Sequence, residues 1–133
     1  MLNVQSPTFL RRVLVADAAT SLACGLLLTL GAGALAPLFG LPLALLREAG
    51  LLLFPFAALV LFAATRPTLP RALAWVIVIS NALWAIDSVM LLLSGWVAPT
   101  ALGQAFVLAQ AVVVALFAEL EFFGLRRSVA AAA

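Results

Sequence analysis

Apolar residues run along this chain in four long blocks, each closed by proline, glycine or arginine. The blocks cover residues 13–36, 49–65, 72–96 and 101–123. Even the shortest, at roughly 1.5 Å of rise per residue, makes a helix of about 26 Å, enough to cross a hydrocarbon layer. Within lipid a backbone N–H or C=O finds no water, so an open-ended spanning segment has to be helical. The pattern therefore predicts an all-α membrane protein, a four-transmembrane-helix bundle forming one domain over residues 1–133. Proline marks the joints. Pro7 precedes the first block, Pro37 and Pro42 bracket the first loop, Pro67 and Pro70 the second, and Pro99 falls in the third. Pro55, between Phe54 and Phe56, lies inside the second block and predicts a kink there.

Composition strengthens this reading. With 67% hydrophobic and 9% charged residues and a mean hydropathy of +1.29, a chain of 133 residues cannot bury its apolar surface in a core of its own. The lipid bilayer is the expected partner. The initial Arg-Arg, apolar run and Ala34-Leu35-Ala36 imitate a signal peptide, but the run is long and Asp17 interrupts it, so it reads as a span.

Charge sets the threading. Arg11 and Arg12 precede the first block, Arg66 and Arg71 flank the loop between the second and third, and Arg126 and Arg127 follow the fourth. Those segments share one side of the membrane, and only Arg47 lies on the other. By the positive-inside rule both termini are predicted to be cytoplasmic, in a bacterial inner membrane. Trp75 and Trp96, near the two ends of the third block, suit the headgroup zones.

Several chemistries fall away. The chain has no histidine, and Cys24 is its single cysteine, so neither an internal disulfide nor a cysteine cage for a metal is available, and the commonest general base is missing. No cofactor, no metal and no enzymatic activity are expected. The arginines flank apolar runs rather than forming a basic stripe, so no nucleic-acid partner is expected either.

Small residues predict where helices approach closely. Ala16, Thr20 and Cys24 recur at intervals of four in the first block, and Ala101, Ala105 and Ala109 do so in the fourth, with Ala111, Ala115 and Ala118 on a neighbouring face. Such seams join helices of one chain or of two, and a homo-oligomer is expected. Gln104 and Gln110 read as uncharged hydrogen-bonding glue between helices.

Charged side chains at membrane depth cost roughly 2.5–3.5 kcal/mol each, so each needs a partner or a purpose. Counted back from Trp96, Asp87 reads as the deepest. Ser80, Trp84 and Asp87 follow the i, i+4, i+7 spacing of one helical stripe, which Asn81 and Ser88 widen. This candidate ligand or proton site has Arg47 within reach as a counter-charge, with Glu48 competing for it; its alternative is a hydrogen-bonded helix seam. A second candidate, nearer the inner leaflet, groups Asp17, Thr20 and Ser21 with Glu119 of the fourth block. Its carboxylates are expected to recruit an arginine from Arg11, Arg12, Arg66 or Arg71, or to share a proton. Glu121 reads as shallower and solvated.

Two functions follow. One is non-enzymatic: packing, assembly, or binding of a lipid, a small hydrophobic ligand or a partner. The other is proton-coupled transport of a hydrophobic or cationic compound through Asp87 or Asp17. In layout alone, the four spans with an acid in the first are similar to the small multidrug resistance exporters, without their glycine and tyrosine signature. The segments Phe9–Arg12, Leu93–Thr100 and Ala118–Glu121 resemble short four-span bacterial inner-membrane proteins that carry no assigned function. DoxX-type proteins share the architecture more loosely. These resemblances imply the fold and the membrane and bring no mechanism.

Overall fold

The computed structural model describes the backbone of residues 2–132 and the side chains of residues 8–126. Five helices follow one another: α1 (Leu2–Leu30), α2 (Ala32–Phe39), α3 (Leu43–Thr65), α4 (Arg71–Ser94) and α5 (Ala101–Ala132). All but α2 contain a stretch long and apolar enough to cross a membrane: Thr8–Leu30, Leu43–Thr65, Arg71–Ser94 and Ala101–Arg126. The outward surface agrees. Leu30, Leu52, Phe62 and Val112 are among many large apolar side chains left more than half exposed, as a lipid-facing surface requires and a water-facing one does not tolerate. The fold is an all-α membrane bundle.

Several boundaries differ from the apolar pattern, beginning with α1, which starts at Leu2 rather than residue 13. The first block breaks at Gly31, where α1 stops and the short α2 begins. A helical turn still closes there, through the bond from the Gly31 N–H to the Leu27 carbonyl at 2.8 Å. The second span starts at Leu43 rather than residue 49, directly after Pro42, so Arg47 and Glu48 lie within its first turns. The last helix runs on past residue 123 to Ala132. α3 stays one helix through Pro55.

Gly40 (φ 66°) ends α2 and Gly95 (φ 81°) follows the end of α4, both in the left-handed conformation that glycine adopts without steric cost. The start of α5 is built on the end of α2. The Thr100 N–H donates to the Phe39 carbonyl at 2.9 Å. The Thr100 hydroxyl donates to the Leu38 carbonyl at 2.8 Å and accepts from the Gly103 N–H at 3.1 Å, the bond of an N-cap. Above them the rings of Phe39 and Phe106 stack with centroids 4.8 Å apart.

Packing is uneven around the bundle. α1 lies along α3, α5 lies along α4, and α1 against α5 joins the two pairs, while α3 and α4 barely meet. They come together near their connecting loop, where Leu10, Leu14 and Ala18 of α1, Val60, Ala63 and Ala64 of α3 and Ile77 of α4 form one core cluster. Arg11 ties down that end by donating to the Ala64 carbonyl at 2.7 Å, since a basic side chain suits the last carbonyls of a helix. A second cluster, holding Leu28, Ala32, Phe39, Leu46 and Val107, closes the end nearer α2. Beside the second cluster α1 and α3 cross at Gly25 and Gly50, where a Cβ on Gly50 would lie 2.8 Å from the Thr29 backbone nitrogen. The predicted α1 seam turns out differently: Ala16 and Thr20 are exposed. Ala101, Ala105 and Ala109 are exposed too, whereas Ala111 and Ala118 are buried.

Candidate functional site

Three helices each send one polar side chain to the centre of the bundle. Asp17 of α1, Asn81 of α4 and Glu121 of α5 are 2%, 3% and 1% exposed. The Asn81 amide nitrogen donates to Asp17 Oδ2 at 2.7 Å and to Glu121 Oε1 at 2.8 Å. One nitrogen thus holds an oxygen of each carboxylate no farther from the other than those two distances laid end to end. Ser21, one turn along α1, donates its hydroxyl to Asp17 Oδ1 at 3.3 Å. Asn81 is the eleventh residue of a 24-residue helix, near the middle of α4.

Toward α2, a second network stitches α4 to α5. Trp84 Nε1 donates to Gln110 Oε1 at 2.9 Å, Gln110 Nε2 donates to Ser88 Oγ at 2.9 Å and to the Val107 carbonyl at 2.8 Å, and Ser88 Oγ donates to the Trp84 carbonyl at 2.7 Å. Gln110 is the interhelical glue its position suggested. Gln104 is not; it is exposed, and its amide reaches only the nearby Pro99 carbonyl, at 3.4 Å.

Two cavities adjoin this network. The larger, about 430 Å³, lies where α3 and α4 diverge; its wall is mostly apolar, with Glu48, Asp87, Ser88 and Gln110 as polar groups. The smaller, about 210 Å³, is lined by Asp17, Thr20 and Ser21 on one side and Phe106, Val113 and Phe117 on another. Cys24, Trp84, Phe106 and Gln110 belong to the walls of both.

The structure rearranges both predicted sites. In the first, Asn81, Trp84 and Ser88 face the interior, but they divide between two networks. Ser80 is half-buried and lines neither cavity. Asp87 is exposed at the edge of the larger cavity rather than deep in the bundle. Among the described residues it makes no ion pair with Arg47, which is itself exposed. At 100° per residue, Asp87 points about 240° around α4 from Asn81, hence away from it.

The second site keeps Asp17 and Ser21 in the cluster, leaves Thr20 on the wall of the smaller cavity and loses Glu119. Thr20 is exposed and makes no bond to the cluster, and Glu119 is exposed on the outer face of α5. Glu121, expected in solvent, is the carboxylate that meets Asp17. No arginine joins them among the described residues, because Arg11 is engaged with Ala64. Asp17 faces the bundle interior and Asp87 does not.

The missed partnership was visible in helical phase. Val107, Ala111, Ala118, Glu121 and Leu125 are all buried along one face of α5, at the three- and four-residue steps of a packed stripe. Leu10, Leu14, Asp17, Ser21 and Leu28 do the same on α1, and Ala74, Ile77, Asn81 and Ala85 on α4. Glu119 falls on the opposite side of α5.

Among the described residues no group of three or more His, Cys, Asp or Glu side chains is placed to hold a metal ion. Compared with protein-family models, with curated proteins and with solved structures, the chain matches none. The resemblances drawn from short segments therefore gain no support, and the reading of function rests on the geometry above.

Proposed function

We propose that this is a non-enzymatic membrane protein that binds the apolar chain of a lipid or similar amphiphile in the cleft between α3 and α4. The observation that carries this is the cavity of about 430 Å³ with a largely apolar wall, left where two neighbouring spans separate. Such pockets bind through apolar contact and take their orientation from a few polar groups. Here the acidic pair is Glu48 and Asp87. Two carboxylates at the mouth favour a head group carrying an ammonium and repel an anionic one.

The same reading sets the protein in a bacterial inner membrane with both ends cytoplasmic. Arg11, Arg66, Arg71 and Arg126 gather at the end of the bundle remote from α2, which is the end the positive-inside rule assigns to the cytoplasm. Exposed Ala101, Ala105 and Ala109 offer a flat face for a second copy.

Native mass spectrometry of protein extracted from membranes tests the cleft. One amine-headed lipid per chain is expected on the wild type, and Ala49→Trp, which fills the cavity wall, should remove it. A wild type that carries no lipid, or a variant that carries as much, rejects the proposal. Reporter fusions at the two ends test the topology separately.

A further inference from the structure

The cluster at the centre of the bundle lacks one hydrogen. Asn81 spends both amide hydrogens, one on each carboxylate. Turned the other way, its carbonyl would face two acceptors, so the network itself dictates the amide orientation. Ser21 supplies one more donor, to Asp17. Glu121 Oε2 is buried and accepts no hydrogen bond. It belongs to a side chain that is 1% exposed.

Charge is also uncompensated. Two ionised carboxylates sharing one neutral amide repel each other in surroundings that barely screen them, and like charges so placed do not both ionise. Among the described residues no cation reaches them. A metal ion fits poorly, because the Asn81 amide nitrogen, a donor, already occupies the space between the two carboxylate oxygens. A single proton answers both deficits. On Glu121 Oε2 it turns the unpartnered acceptor into a donor toward the Asp17 carboxylate, which lies within hydrogen-bonding reach, and it removes one of the two charges.

We propose that Asp17 and Glu121 form a one-proton site, bridged by Asn81 and opening onto the smaller cavity through Asp17 and Ser21. Those two residues line the cavity, while Asn81 and Glu121 lie behind them. The proton therefore exchanges by way of Asp17. Intramembrane acids that face a cavity rather than lipid are the usual stations of such exchange. The titratable groups facing the site are few. α1 brings Asp17 and, farther along the cavity wall, Cys24; α5 brings Glu121. α3 and α4 bring none among the described residues, since Arg47, Glu48, Arg71 and Asp87 are all exposed. A positively charged molecule entering this cavity would favour release of the proton, and by linkage the proton would oppose its entry to the same degree. The site stands whether or not a lipid fills the larger cleft.

Infrared difference spectroscopy of the full-length protein in lipid bilayers reads the proton directly. At neutral pH the wild type should show the C=O stretch of a protonated carboxyl, shifting on transfer to deuterated buffer. The band should persist in Glu119→Gln and Asp87→Asn and be lost from the double variant Asp17→Asn/Glu121→Gln. Should the double variant not fold, the single variants Asp17→Asn and Glu121→Gln decide: the band must be lost or shifted in each, and must withstand sodium at constant pH in the wild type. No band at neutral pH overturns the proposal, as does a band unchanged in the double variant. A band abolished by sodium overturns it in favour of an alkali-cation site.

Discussion

The indole N–H of Trp84 donates to the Gln110 side-chain oxygen at 2.9 Å, and this bond joins α4 to α5 beside both cavities. Its partners are fully engaged, because the Gln110 amide also donates to Ser88 and to the Val107 carbonyl. Side-chain bonds between membrane helices are worth roughly 0.6 kcal/mol on average and up to about 1.7 kcal/mol. A double-mutant cycle with Trp84→Phe and Gln110→Leu should therefore give a coupling energy in that range, read from unfolding in mixed micelles. Strict additivity would show that the bond does not form in the folded protein.

Asn81 is the residue on which the central cluster depends. Asn81→Leu leaves the Ser21 hydroxyl as the one side-chain donor to the two carboxyls among the described residues, and leaving buried acceptors unsatisfied costs about 1–3 kcal/mol each, more where they are charged. The variant should fold poorly or lose that much stability in the same unfolding measurement. Asn81→Asp, which adds a third carboxyl, should be at least as damaging. Glu119→Gln, on the exposed face of α5, should stay within about 0.5 kcal/mol of wild type. Equal effects at residues 81 and 119 would refute the placement of the cluster.

The contrast between Glu119 and Glu121 also shows what could be read in advance. Four spans follow from block length and hydropathy, because the demand that a lipid-crossing backbone bond to itself leaves few alternatives. Which face of a span points inward is a finer question, carried by steps of three and four residues. A count of residues from Arg12 or Trp96 gives a height along a span and says nothing of the side it faces, so it does not separate buried Asp17 from exposed Asp87. The separation of α3 from α4, and so the larger cavity, was not legible, since no residue in either block announces a missing contact.

Arg47 and Asp87 are both exposed, and no ion pair forms between them. Their positions on α3 and α4, the two spans that separate, explain why the expected contact does not close. Arg47→Ala and Asp87→Ala should therefore combine additively, with a coupling below about 0.5 kcal/mol in a double-mutant cycle. A coupling above 1 kcal/mol or so would mean that the cleft closes in the bilayer, bringing the two side chains together.

Two glycines should respond in opposite directions to the same substitution. Gly50 lies where α3 crosses α1, and an added methyl would sit 2.5 Å from Thr29 Oγ1, 2.8 Å from the Thr29 backbone nitrogen and 3.0 Å from the Gly25 carbonyl. The backbone atoms cannot swing aside as a side chain would, so the helices must move apart. Overpacking of this kind costs about 1–3 kcal/mol. Gly33, in α2, has nothing within 4 Å of the same added atom and no positive φ. Gly33→Ala should stabilise by about 0.5–1 kcal/mol, the usual helix gain of alanine over glycine. Thermal or denaturant unfolding of the two single variants decides the matter. If Gly50→Ala proves as stable as wild type, α1 and α3 do not approach this closely at Gly25 and Thr29.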